Sequence, residues 1–121
     1  MARVAAAGAT LALAAVALSG CGVGGAVTQA RQACVHIKVA LALQTQSEAK
    51  GISAAQRTHL ETEALTELLK ATPLAAAATS ADGTWNPLQT TLEEANRVPL
   101  QYEAPALTRM CQVANSATPI L

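Results

Sequence analysis

Half of this chain is apolar (51%), yet it contains no phenylalanine, one tryptophan (Trp85) and one tyrosine (Tyr102). The apolar weight is carried by alanine and leucine. Alanine is the best helix former, whereas sheets favour β-branched and aromatic side chains. Bulky aromatics are also the usual filler of a large core. The composition therefore predicts an all-α fold, a small antiparallel bundle of three to four helices. It excludes a β-sandwich or an α/β enzyme of this size. At 121 residues a single domain is expected. Eight basic residues balance eight acidic ones. A net charge of zero with no basic cluster excludes an electrostatic nucleic-acid binder.

The first twenty residues read as an address. Arg3 is the only charged side chain, Val4 to Leu18 is a predominantly apolar run, and small residues follow. At 1.5 Å per residue a helix over this run spans about 22 Å, short of the roughly 30 Å hydrocarbon core. A short positive start, an apolar run and then small residues is the pattern of a secretory signal peptide, here residues 1–20. Leu18-Ser19-Gly20-Cys21 resembles the lipobox of bacterial lipoproteins. The resemblance covers these residues only. It implies that a diacylglyceryl group alkylates the Cys21 sulfur and that a lipoprotein signal peptidase cuts after Gly20. The diacylglyceryl group brings two acyl chains (palmitate is the expected chain), whereas a single chain binds membranes only marginally. The expected location is the extracytoplasmic face of the cell membrane. Residues 21–26, with Gly22, Gly24 and Gly25, are expected as a flexible lipidated tether.

Cys34 and Cys111 remain. An even pair in an exported domain of this size is read as a disulfide, because the compartment is oxidising and the core is small. Two buried free thiols are the alternative.

The domain itself is expected over residues 27–116, with a frayed tail at 117–121. Ala30, Cys34, Ile37 and Leu41 recur at coiled-coil spacing in a first helix over 27–50, with Val35, Val39 and Ala42 widening the seam. Lys50-Gly51 is a helix-stop signature. Ser53-Ala54-Ala55-Gln56 is a capping box, so a second helix starts at Ala54 and folds back on the first. Leu60, Ala64, Leu65, Leu68 and Ala71 make its inner face. Pro73 is expected to end or kink it, with continuation over 74–78 left open. Residues 79–84 read as a loop. Asn86-Pro87 caps a third helix that stops at Val98-Pro99, and a fourth begins around Pro105. In this up-down order Cys34 and Cys111 meet at the membrane-near end.

No enzyme signature emerges: there is no phosphate loop, nucleophile elbow or zinc motif. No catalytic residue, metal ligand or cofactor is expected. His36 is two residues from Cys34, which on a helix puts it on a different face. His36 and His59 do not face each other across the hairpin, and no Cys or Asp completes a metal-ligand spacing with them. Position 36 faces position 67, which places His36 beside Glu67. The rarity of aromatics singles out Trp85 and Tyr102 as candidate partner contacts, since tryptophan is enriched at binding hot spots. The plainer reading is that Trp85 caps the core and Tyr102 shields a helix junction. The expected function is a non-enzymatic, membrane-anchored binding or envelope accessory protein. Its partner would be an envelope protein or a cell-wall component. A helical module for a small apolar ligand is the alternative.

Overall fold

The structure, a computed structural model, describes residues 23–117. The signal segment, Cys21 and the tail after Ala117 lie outside the described residues. Within them the chain forms α1 (Val23–Ser47), α2 (Ala54–Ala81), a single 3₁₀ turn (Gly83–Trp85), α3 (Asn86–Glu94) and α4 (Leu100–Ser116). The all-α bundle of four helices is as the composition requires.

The connection between α1 and α2 follows from local chemistry. Gly51 takes a positive φ of 85°, which costs glycine nothing and another side chain a clash. Ser53 then caps α2. Its hydroxyl accepts from the Gln56 N–H, and the Gln56 side chain accepts from the Ser53 N–H at 3.0 Å. The hairpin register is visible in two contacts. His36 meets Glu67, and Arg57 donates from Nε to the Ser47 carbonyl at 3.0 Å. Both pairs sum to nearly the same value, so the two helices run antiparallel.

The seam between them is made of small residues. Ala26, Ala33, Ala40 and Ser47 follow one another at intervals of seven on α1, and Ala64, Ala71 and Ala78 do the same on α2; all are buried. Ile37 and Leu68 fill the space between. A strict seven-residue step keeps one stripe facing the partner helix along its whole length. The side chains expected to widen the α1 seam point elsewhere: Val35 is 63% exposed, Val39 is 44% exposed, and Ala42 is also exposed. Ala33 and Ala40 take that place, because a methyl group admits closer approach.

Several boundaries differ from expectation; α1, expected to reach Lys50, ends at Ser47. α1 begins at Val23, so most of the expected 21–26 tether is its first turn, and Ala26 is fully buried. Two glycines cost a helix about 1 kcal/mol each, and the Ala26–Ala30 contact with the core offsets that. α2 runs through Pro73 to Ala81. Pro73 has no N–H to donate to the Leu69 carbonyl, but both residues are on the exposed face of the helix. Ala75 and Ala78 beyond it are buried against the core and hold the helix on course. Trp85, not Asn86, occupies the cap position of α3, without a side-chain cap, and α3 ends at Glu94 rather than Val98. α4 starts at Leu100, and Pro105 lies inside it, again on the exposed face. Glu103 lies in its first turn.

α4 is fixed to α1 at one end. Cys34 and Cys111 are joined by a disulfide with their Cα atoms 5.5 Å apart. One turn away, Arg31 donates from Nε to the Ala114 carbonyl at 2.9 Å and from its terminal nitrogen to the Ala117 carbonyl. These contacts run α4 antiparallel to α1.

Candidate functional site

Chemistry-bearing side chains converge in three places. The first lies across the α1–α2 hairpin. His36 Nδ1 is 2.9 Å from Glu67 Oε2, and Lys70 Nζ donates to Glu67 Oε1 at 2.8 Å. The hydrogen bond from Lys70, and after it the one with His36, holds the Glu67 carboxyl below its ordinary value. The register read from the sequence brought this pair together. His59 is elsewhere, on the exposed side of α2, 3.1 Å from Glu63 one turn along. Neither histidine belongs to a group of three or more metal-ligating side chains, and no such group exists among the described residues. A carboxylate paired to an imidazole fixes the ring's orientation. The pair ties α1 to α2.

The second place is the groove between α1 and α4. The helices touch at the disulfide and leave an open cleft above it. Near the disulfide the cleft holds about 300 Å³ over a floor of Ile37, Leu41 and the Cys34–Cys111 bridge. Further along it widens to about 460 Å³ between Leu41 and Pro105, with Gln44, Glu48, Arg109 and Gln112 on its rim. An apolar floor with a few polar rim groups is the general form of a binding cleft, here open to solvent.

The third is Glu103. Both of its carboxyl oxygens are buried and find no hydrogen-bond partner among the described residues; the residue is 6% exposed. Burial, and secondarily the charge of Glu94, pushes its carboxyl above the ordinary value. The sequence reading missed it, because a lone acid in the first turn of a helix reads as a solvated one. Its burial comes from packing between helices, which no local pattern encodes.

The two aromatic candidates part company. Trp85 is 8% exposed and belongs to the core cluster with Leu88 and Leu92, so its ring is a core cap and not a contact surface. The 3₁₀ turn ahead of α3 carries it inward, where it serves as the one large ring among small side chains. Tyr102 is 71% exposed on α4. Cys21 lies outside the described residues. No helix among the described residues is long and apolar enough to cross a membrane.

No protein-family model matches this chain, and neither does any curated protein or solved structure.

Proposed function

We propose that the chain is a bacterial lipoprotein. It is held on the extracytoplasmic face of the cell membrane by a diacylglyceryl group on Cys21, and it acts there as a non-enzymatic binding or accessory protein of the envelope. One observation carries the reading. Of three cysteines, Cys34 and Cys111 are consumed by the disulfide, and the third is Cys21, the last residue of Leu18-Ser19-Gly20-Cys21. A disulfide between distant helices belongs to an oxidising compartment, which is where a lipidated export product resides. The domain would present the α1–α4 groove and the exposed Tyr102 to an envelope protein or wall component. A small apolar ligand is the second reading, favoured by the apolar floor of that groove around Ile37 and Leu41.

The test is the intact mass of the protein extracted from membranes, before and after reduction. A chain that starts at Cys21, carries a diacylglyceryl adduct and gains the mass of two hydrogens on reduction supports the anchor and the disulfide together. A chain that starts at Met1, or one that lacks the adduct, overturns the anchor.

A further inference from the structure

Charge is distributed unevenly along the bundle. Residues 23–30 at the start of α1 carry no charged side chain or histidine. Neither do residues 71–81 at the end of α2, 83–92 from the 3₁₀ turn into α3, or 110–117 at the end of α4. The hairpin register levels the end of α2 with the start of α1. The Cys34–Cys111 and Arg31–Ala114 contacts bring Ala117 at the end of α4 level with Thr28, between one and two turns along α1 from Val23. All four uncharged stretches therefore meet at one end of the molecule. Two charges interrupt them: Arg31, bonded within the fold, and Asp82, half-exposed and engaged only in a local capping bond. Asp82 accepts from the Thr84 N–H at 3.0 Å, and Arg31 is bonded to the terminal carbonyls of α4. Elsewhere charges resume within a turn or two: Lys38 on α1, Lys70 on α2, Glu93 on α3 and Arg109 on α4.

The same end receives the chain from Cys21. Two peptide steps separate Cys21 from Val23, the first residue of α1, a reach of at most about 7 Å even fully extended. A lipid on Cys21 thus leaves the domain almost no slack. Whatever lies at this end of the bundle must sit against the bilayer surface.

We propose that the uncharged end of the bundle is a membrane-docking surface. It would rest on the headgroup layer of the bilayer that holds the Cys21 lipid; the proposal rests on the lipoprotein reading above. The surface suits that position. A charged side chain pressed towards a medium of low dielectric constant loses hydration at high cost, whereas neutral polar groups do not. Ser80, Thr84, Asn86 and Asn115 are exposed there and hydrogen-bond without charge, and Val113, 60% exposed, adds apolar area. No free basic side chain draws the surface to anionic lipid. Docking therefore depends on the anchor and is insensitive to anionic lipid content and to salt.

Trp85, the sole tryptophan, lies in the 3₁₀ turn at this end and reports on it without added labels. The full lipidated chain is reconstituted in phosphatidylcholine vesicles containing nitroxide-headgroup lipid, and the same measurement is made on a Trp85→Phe/His59→Trp variant. α1 is about 37 Å long at 1.5 Å per residue, so a headgroup quencher cannot reach both ends; about a twofold loss of Trp85 emission is expected, and no loss from the indole at position 59. Should the variant fail to fold, hydrogen exchange on the native chain replaces it. Amides of 76–92 and 110–117 then exchange more slowly in vesicles than in detergent, and those of 48–60 do not change. Equal quenching at both ends, or none at Trp85 in a chain that floats with the vesicles, overturns the docking surface alone. Protection of this end only in native envelopes means that a protein covers it, which also overturns the proposal. A chain that does not float overturns the anchor and the docking with it.

Discussion

Arg31 of α1 donates from Nε to the carbonyl of Ala114 in the last turn of α4, at 2.9 Å. α4 has no basic residue of its own in that turn, and neither does α1 in its own last turn, where Arg57 of α2 donates to Ser47 instead. Each of these helix ends is thus neutralised by a neighbour. A cation at a helix C-terminus and the bonds it donates are together worth about 1–2 kcal/mol when partly buried. Arg31→Met keeps the apolar stem and removes the donors. It should cost that amount in urea unfolding, while Arg97→Met, on an exposed side chain, should change the midpoint little.

The disulfide closes a covalent loop with a sequence separation of 77. The chain-entropy estimate for such a loop is about 4.5 kcal/mol, a large part of the roughly 5–15 kcal/mol that small domains have in total. Cys34→Ser/Cys111→Ser, or reduction of the native protein, should lower the denaturant midpoint by a third or more. A midpoint that does not move would mean that the Arg31 clamp and the helix seam already hold α4 in place.

What could be read in the sequence was whatever a short stretch of chain decides for itself. The Ser53–Gln56 capping box and the Gly51 turn are chemistry within four residues, and both occur as read. Once they set the hairpin register, the His36–Glu67 pair followed by counting. Cys34 and Cys111 met because few cysteines were available and the helix order brought them to one end. The misreadings share one cause. Pro73 and Pro105 do not break helices here because each lies on an exposed face, which depends on the rotation of the helix against its neighbours. Val35 and Val39 looked like core by hydrophobicity, and the alanine stripe displaced them by closeness of fit. Trp85 caps the core, as the plainer reading of the sequence had it. Arg31 and Glu103 act on elements distant in sequence, so no local signal marked them.

The alanine seam makes a sharp packing prediction. Ala33 and Ala71 are fully buried between α1 and α2, where no larger side chain has room. Ala71→Leu should cost about 1–3 kcal/mol through overpacking. Ala42→Leu adds the same volume on the exposed face of α1 and should stay within about 0.5 kcal/mol of the native protein. Equal costs at the two positions would show that the helices are not in close contact.

The Glu67 cluster gives the fold an acid-sensitive contact. Bonds from Lys70 and His36 lower the Glu67 carboxyl, so the unfolded chain takes up this proton at higher pH than the folded one does. The stabilisation is complete above the ordinary carboxylate range, about 4.3 for glutamate, and is lost as pH falls through the lowered value. Glu67→Gln should flatten the acid limb of a stability–pH curve and leave its neutral limb parallel to the native one. A Glu67→Gln curve with the native acid slope would assign that slope to other carboxylates.

Glu103 should act in the opposite sense. Its carboxyl is raised by burial and by Glu94, so the folded chain holds this proton where the unfolded chain has released it. Stability then declines as pH rises above about 4.3, the unfolded value, and levels off once the folded carboxyl has ionised. Glu103→Met has nearly the same shape and no polar atoms to leave unpaired. It should stabilise the domain at neutral pH by about 1–2 kcal/mol and remove this decline. Glu94→Gln provides the separating control. It leaves the packing around Glu103 intact and removes the nearby charge, so it should recover only part of the gain, because burial is the larger cause of the shift. If Glu94→Gln matched Glu103→Met, the repulsion between the two acids would outweigh the burial. If Glu103→Met were destabilising, the carboxyl would be bonded in solution to a partner that stabilises its charged form.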